Sequence, residues 1–105
     1  MSRAQRGEIW LVDLGMVAKI RPVLVRSVEY GERERAVVSY VPRTTTLRGT
    51  RFEVPHAARG FDAGGFDAQG IAGLPSAQLI RRLGVIDRTT LRQIEAAVKD
   101  WLGLT

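Results

Sequence analysis

Short stretches of β-forming apolar residues, broken by glycine, proline and clusters of charge, fill most of this chain, and a helical spacing takes over only at its end. Glu8 to Leu14 (Glu-Ile-Trp-Leu-Val-Asp-Leu) reads as a strand, with Trp10 and Val12 on one face, Ile9 and Leu11 on the other, and Gly15 marking the turn after it. Arg21 to Val28 reads as a second strand, with Pro22 at its head because proline has no N–H to give to a ladder. Glu29 to Glu34 contains Gly31 and four charges and predicts a hairpin turn. Ala36 to Val41 predicts a third strand ended by Pro42; threonines and Gly49 follow as a loop, and Thr50 to Val54 alternates as a short fourth strand.

Between Ala57 and Gly70, Gly60-Phe61-Asp62-Ala63-Gly64 is nearly duplicated by Gly65-Phe66-Asp67-Ala68-Gln69-Gly70. Two short copies cannot stack into a solenoid, so the segment is expected to be a flexible loop or a hairpin. Ile71 to Leu83 mixes apolar and basic residues, with a further strand expected around Leu79 to Leu83. Asp87 then predicts an N-cap, Leu91, Ile94, Val98 and Trp101 or Leu102 recur at helical spacing, and Gly103 stops the helix. Five or more short strands followed by one helix predict a mainly β fold, a small, strongly bent barrel with a C-terminal α-helix packed on it.

A chain of 105 residues suffices for one domain spanning 1–105. There are no cysteines, which excludes a disulfide framework, a thiolate metal site and a cysteine nucleophile. No apolar run approaches the ~18 residues that would cross a bilayer, and no leader-like stretch follows the basic N-terminus, so a cytoplasmic protein without membrane contact is expected. The net charge is +5, and of the 16 basic residues only Lys19 and Lys99 are lysines. A GC-rich coding sequence accounts for such an arginine bias as readily as function does. The excess of positive charge points to an anionic partner, and arginine's planar fork suits phosphate.

Most catalytic schemes lack their parts. His56 is the single histidine, which excludes a paired-histidine ribonuclease and a two-histidine metal site, and favours a structural or solvated role. No phosphate-binding loop, dinucleotide motif or nucleophile elbow is present. Asp62 and Asp67 suit turns better than a metal pair. From Arg43 to Arg51, three arginines and four threonines occur with no acid. That is a phosphate-binding inventory on a loop, and equally a solvated turn; the residues alone leave both open.

Three stretches in order, Arg6-Gly7-Glu8-Ile9-Trp10-Leu11-Val12-Asp13-Leu14, Ile20-Arg21-Pro22-Val23-Leu24-Val25 and Val41-Pro42-Arg43-Thr44-Thr45, resemble the opening of the MazF/PemK toxins. The resemblance continues through Gly49-Thr50-Arg51-Phe52-Glu53-Val54 and Leu83-Gly84-Val85-Ile86 with the terminal helix. It implies an SH3-like barrel, a homodimer, and a sequence-specific endoribonuclease that cuts single-stranded RNA and is silenced by a small acidic antitoxin. The family's catalytic arginine matches Arg21 and its catalytic threonine Thr44, with Thr45 the rival in register. Lys19, Arg43, Thr45, Arg48, Arg51 and Gln78 are the candidate substrate-binding residues. The implied chemistry uses neither metal nor cofactor: the phosphate passes to the neighbouring 2′-hydroxyl, leaving a 2′,3′-cyclic phosphate and a 5′-hydroxyl, while fixed donors stabilise the phosphorane-like transition state.

The chain departs from the family in the short Gly15-Met16-Val17-Ala18-Lys19-Ile20 connection, which lacks the acidic and amide groups found before the arginine in many members and leaves Lys19 to supply charge. Two other readings compete: a barrel that binds nucleic acid without cutting it, and a gyrase poison of the same fold, faintly suggested by Trp101-Leu102-Gly103-Leu104. For Trp101 itself, core or dimer packing is the expectation.

Overall fold

The computed structural model describes residues 4–15 and 20–104. Seven strands, β1 (Glu8–Asp13), β2 (Ile20–Val25), β3 (Val37–Thr44), β4 (Glu53–His56), β5 (Gly64–Asp67), β6 (Ala72–Pro75) and β7 (Leu79–Val85), precede one helix, α1 (Arg88–Leu102). All strand pairings are antiparallel, in the order β4-β5-β3-β2-β1-β7, with β6 also paired to β3. The sheet is barrel-like and mostly β, as the sequence predicts, and β4 and β7 remain its two ends.

The bend is built at two places. The β1–β7 ladder shifts register between Ile9 and Trp10 and again between Leu11 and Val12, and each such irregularity sharpens the twist. β3 is the second. Along one edge it pairs with β2; along the other it pairs first with β6, through Val37 to Tyr40, and then with β5, through Arg43 and Thr44. Tyr40 and Val41 are consecutive and both buried, in two separate apolar clusters. β3 therefore has both faces covered, and along one edge it exchanges β6 for β5 as its partner.

The same division runs through β1 and β2. Ile9 and Leu24 pack with Val41, Phe66 and the helix residues Ile94 and Val98, while Trp10, Val12, Val23 and Val25 pack with Tyr40, Leu74 and Leu79. The predicted faces of β1 are thus correct, and both are covered. Ile9, Val12, Val23, Leu24, Val25 and Val41 are fully buried. Each such side chain contributes roughly 1.5–3 kcal/mol, so β1, β2 and β3 form the rigid frame on which the candidate site stands.

Several boundaries differ from expectation. β3 runs through Pro42 to Thr44, because Pro42 falls between the residues paired to β6 and those paired to β5, where that edge has no paired neighbour. The fourth strand begins at Glu53, since Thr50 to Phe52 are drawn into a turn by the Glu53 carboxylate. The glycine-rich stretch is the hairpin alternative, with β4 and β5 as its arms. Gly64 and Gly65 serve close approach there: a Cβ on Gly64 would overlap the Thr44 carbonyl oxygen, and one on Gly65 that of Val54. β6 is a strand that the sequence does not announce, having Gly73 and Pro75 in four residues.

The helix is as predicted. Asp87 Oδ2 accepts from the Thr90 N–H at 2.9 Å, and Gly103 closes the C-terminus at φ 70°. None of the described helices is long and apolar enough to cross a membrane.

Candidate active site

The last pair of the β2–β3 ladder is Val23 with Pro42. Carried two residues further, the same register sets Arg21 opposite Thr44, at the point where β3 leaves β2 and pairs with Gly65 of β5. Arg21 is also tied to β1, opposite Val12. Both residues line one groove of about 580 Å³, together with Arg48, Glu53, Gln69 and Trp101. The Arg21 side chain is exposed and makes no hydrogen bond or ion pair with another described residue. Its charge is available to a ligand.

Thr44 is held by its own loop. Its Oγ1 accepts from the Thr46 N–H at 3.0 Å and donates to the Thr46 carbonyl at 3.3 Å. The second bond is long, so a phosphate oxygen at ordinary hydrogen-bond distance is the better acceptor for that proton. The loop is pinned from beneath: both Glu53 carboxylate oxygens accept from the Arg48 N–H at 3.0 Å, and one also accepts from the Thr50 N–H at 2.9 Å. These amides hold the Glu53 carboxyl below the usual carboxylate range. Asp67, at the same groove, accepts from the Gln69 N–H at 3.0 Å. Both carboxylates thus shape the loops that border the groove.

Arg43 differs from expectation. It is buried, its Nε donates to His56 Nδ1 at 3.0 Å, and one terminal nitrogen donates to the carbonyls of His56 at 2.9 Å and Asp62 at 2.7 Å. Its guanidinium lies 5.1 Å from the centre of the Phe61 ring. The fork expected to reach for phosphate instead ties β3 to β4 and to the loop before β5. His56 is structural, as expected, and must accept at Nδ1. Burial, and then the charge of Arg43, push its pKa down, with Asp87 opposing.

The remaining candidates are dispersed. Thr45 lines a second hollow, with Pro22, Arg59 and Arg81, so the groove brings Thr44 rather than Thr45 alongside Arg21. Arg48 lines the groove. Arg51 lies outside it, its guanidinium 4.5 Å from the centre of the Phe52 ring. Gln78 is exposed, in a turn of 3-10 helix before β7, and borders neither hollow. Lys19 falls outside the described residues. Sequence reasoning missed Glu53 and Trp101. An acid three residues after Thr50 is a legible turn-capping signal, whereas nothing local places Trp101 at a groove. It is 43% exposed there, edge-on to Phe52 at 5.3 Å, and is not part of the core.

Comparison with known proteins agrees with this architecture. Residues 5–102 match the family described as the PemK-like, MazF-like toxin of type II toxin-antitoxin systems. The chain is similar to an endoribonuclease solved in complex with its cognate antitoxin from a mycobacterial species, with 29% identity, 97% of each chain covered and a TM-score of 0.84. It is similar to the Mycobacterium tuberculosis toxin MazF-mt6, with 26% identity, 93% of this chain and 98% of that one covered, and a TM-score of 0.79. The MazE–MazF structure from Deinococcus radiodurans shares the fold at 20% identity, covering 97% of this chain and 98% of that one, with a TM-score of 0.84. With its ordered motifs, its bent antiparallel sheet and nearly its whole length accounted for, the chain belongs to the PemK-like, MazF-like toxins of type II toxin-antitoxin systems.

Proposed function

We propose that this toxin is a sequence-specific endoribonuclease acting on single-stranded RNA, with Arg21 and Thr44 as its catalytic pair. The observation that carries the reading is the register that puts an unpaired arginine opposite a loop-held threonine in one open groove. Its mycobacterial neighbour is named an endoribonuclease.

In this reading the scissile phosphate lies between Arg21 and Thr44. The guanidinium, a fixed positive charge, donates to the non-bridging oxygens as negative charge builds on them. Thr44 donates its hydroxyl proton to the phosphate and fixes its orientation. The adjacent 2′-hydroxyl gives up its proton to solvent as its oxygen attacks and forms the new P–O bond, the P–O5′ bond breaks, and the departing 5′-oxygen takes up a proton from solvent, so that no net proton is gained or lost. The ends are a 2′,3′-cyclic phosphate and a 5′-hydroxyl. Arg48 adds positive charge along the strand. The chemistry is metal-independent in this account, because the groove offers guanidinium and hydroxyl donors while Glu53 and Asp67 are engaged by backbone amides.

The partner that silences it is a small acidic antitoxin, for which the +5 charge is the complement and the antitoxin complex of the similar mycobacterial protein the precedent. The working form is a homodimer, and Leu102 and Leu104, exposed at and just beyond the end of α1, are apolar surface for a second copy to cover. The deciding experiment incubates purified toxin with a long single-stranded RNA in EDTA. Cleavage by the wild type, its loss in Arg21→Ala, and cyclic-phosphate ends on the products are expected. Intact RNA, or cleavage that needs an added divalent ion, defeats the reading. Stabilised gyrase breaks beside intact RNA would replace it with a poison.

A further inference from the structure

We propose that neutral His56 is a positioning residue for RNA cleavage: through Arg43 it holds the β3 backbone at Thr44, and its protonation releases that hold and slows the reaction. This rests on the assignment of the scissile phosphate to Arg21 and Thr44.

Arg43 and Thr44 are consecutive on β3, and alternation sends their side chains to opposite faces. Arg43 therefore acts on Thr44 through the strand and not through the substrate. One terminal nitrogen of Arg43 donates to the His56 carbonyl at the end of β4 and to the Asp62 carbonyl just before β5. It fastens together the two arms of the β4–β5 hairpin at the base of their connection. The Nε bond to the His56 ring is the third tie. The segments held in this way lie against Thr44: His56 is paired with Gly64, Gly65 with Thr44 and Phe66 with Arg43. A Cβ on Gly64 would overlap the Thr44 carbonyl oxygen, so the hairpin cannot shift there without moving Thr44.

The tie to the ring depends on one proton. Nδ1 accepts from Arg43 only in the neutral imidazole, whose proton is then on Nε2. A proton taken up from solvent turns Nδ1 into a donor and sets two cations N–H to N–H across the present 3.0 Å. The guanidinium keeps its charge, and Asp62 favours that charge. The ring is packed against Phe61 and Phe66, with centres 5.3 and 5.1 Å away, so it does not turn aside freely. Separation of the two side chains is the remaining relief. Among the described residues, the charged groups facing this pair are Asp62 before β5 and Asp87 at the head of α1. Asp87 favours the imidazolium, while burial and Arg43 disfavour it and prevail. The hold is thus intact at neutral pH and fails as the pH falls through a value below the ordinary one.

His56 is the only histidine, so the test reads one imidazole. His56→Asn keeps an acceptor for Arg43 and cannot be protonated in this range. Single-turnover cleavage of one RNA is measured for wild type and His56→Asn from pH 7.5 to 5, and the ratio of the two rates cancels the pH dependence of the 2′-hydroxyl chemistry. The ratio is expected to be level above pH 7 and to fall about threefold or more by pH 5. Affinities for an RNA carrying 2′-deoxy sugars, which cannot form the cyclic product, are expected to stay matched, placing the loss in the cleavage step. In a Thr44→Ala background the same ratio is expected to stay flat. A ratio flat with Thr44 present overturns the proposal and leaves the endonuclease intact. A fall that survives Thr44→Ala overturns the route through Thr44. A wild-type near-UV circular dichroism spectrum lost in step with the rate makes His56 merely structural and also overturns the proposal. A wild type that cuts no RNA at pH 7.5 overturns the endonuclease as well.

Discussion

Arg21 and Thr44 occupy opposite positions of one antiparallel register, two residues beyond the last paired residues of β2 and β3. The β2–β3 ladder ends before them, while β3 continues along its other edge to pair with β5, and both residues line one open groove. The first expectation concerns that pair. Removing a fixed donor to a developing oxyanion costs about 100- to 1,000-fold in rate, so Thr44→Ala should lose about that much cleavage while Thr45→Ala retains most of it. Single-turnover cleavage of one RNA by both variants decides which threonine acts. Arg21→Lys keeps the charge without the planar fork and should fall between wild type and Arg21→Ala.

His56 gives the fold a pH dependence. Its folded pKa lies below its ordinary value, about 6.5, because burial and Arg43 disfavour the imidazolium. The stability that the neutral ring provides is complete above pH 6.5 and is lost as the pH falls through the lower folded value, since the unfolded chain takes up the proton first. The Tm should therefore drop between pH 7 and 5. His56→Asn, which keeps an acceptor for Arg43, should flatten that drop in a thermal melt series. A curve unchanged by the substitution would remove His56 from the account.

Removing the acceptor altogether is more costly. His56→Ala leaves the buried Arg43 Nε–H without its partner, and the expected destabilisation is roughly 2–3 kcal/mol. Urea unfolding at pH 7.5 measures it. Arg43 joins β3 to β4, so cleavage should fall in parallel with stability, through a displaced Thr44.

Gly64 has no room for a side chain, because its missing Cβ would occupy the place of the Thr44 carbonyl oxygen. Gly64→Ala must separate β5 from β3 at the residue proposed to hold the phosphate, and is expected to cost at least ~2 kcal/mol, in the range of overpacked sites. Gly84→Ala meets nothing within 4 Å and is the matched control. Denaturation midpoints for the two should differ clearly. Equal midpoints would show that the hairpin gives way without strain.

Glu53 ties the threonine loop to β4. Glu53→Gln keeps one oxygen as an acceptor but loses the charge that two backbone amides now share. Hydrogen exchange at Arg48 and Thr50 should accelerate strongly in Glu53→Ala and only modestly in Glu53→Gln, with cleavage falling in the same order. Exchange rates that stay at the wild-type level in both would locate the loop's anchor elsewhere.

What local chemistry governs was readable in the chain. The faces of β1 follow from alternation, the helix from its spacing with Asp87 and Gly103 at its ends, and the absence of thiol or paired-histidine chemistry from composition. Arg21 and Thr44 were legible as candidates through ordered motifs. The length of β3 was not, because the fate of Pro42 depends on which strands lie beside it, and those come from distant parts of the chain. The role of Arg43 was equally hidden. An arginine in a basic loop suggests phosphate, and only the arrival of His56 and Asp62 from 13 and 19 residues away turns its donors inward. The sequence by itself determined which groups could meet an anion. Tertiary structure decided which of them remain free to do so, because every buried donor must find a partner and those partners are chosen by long-range strand pairing.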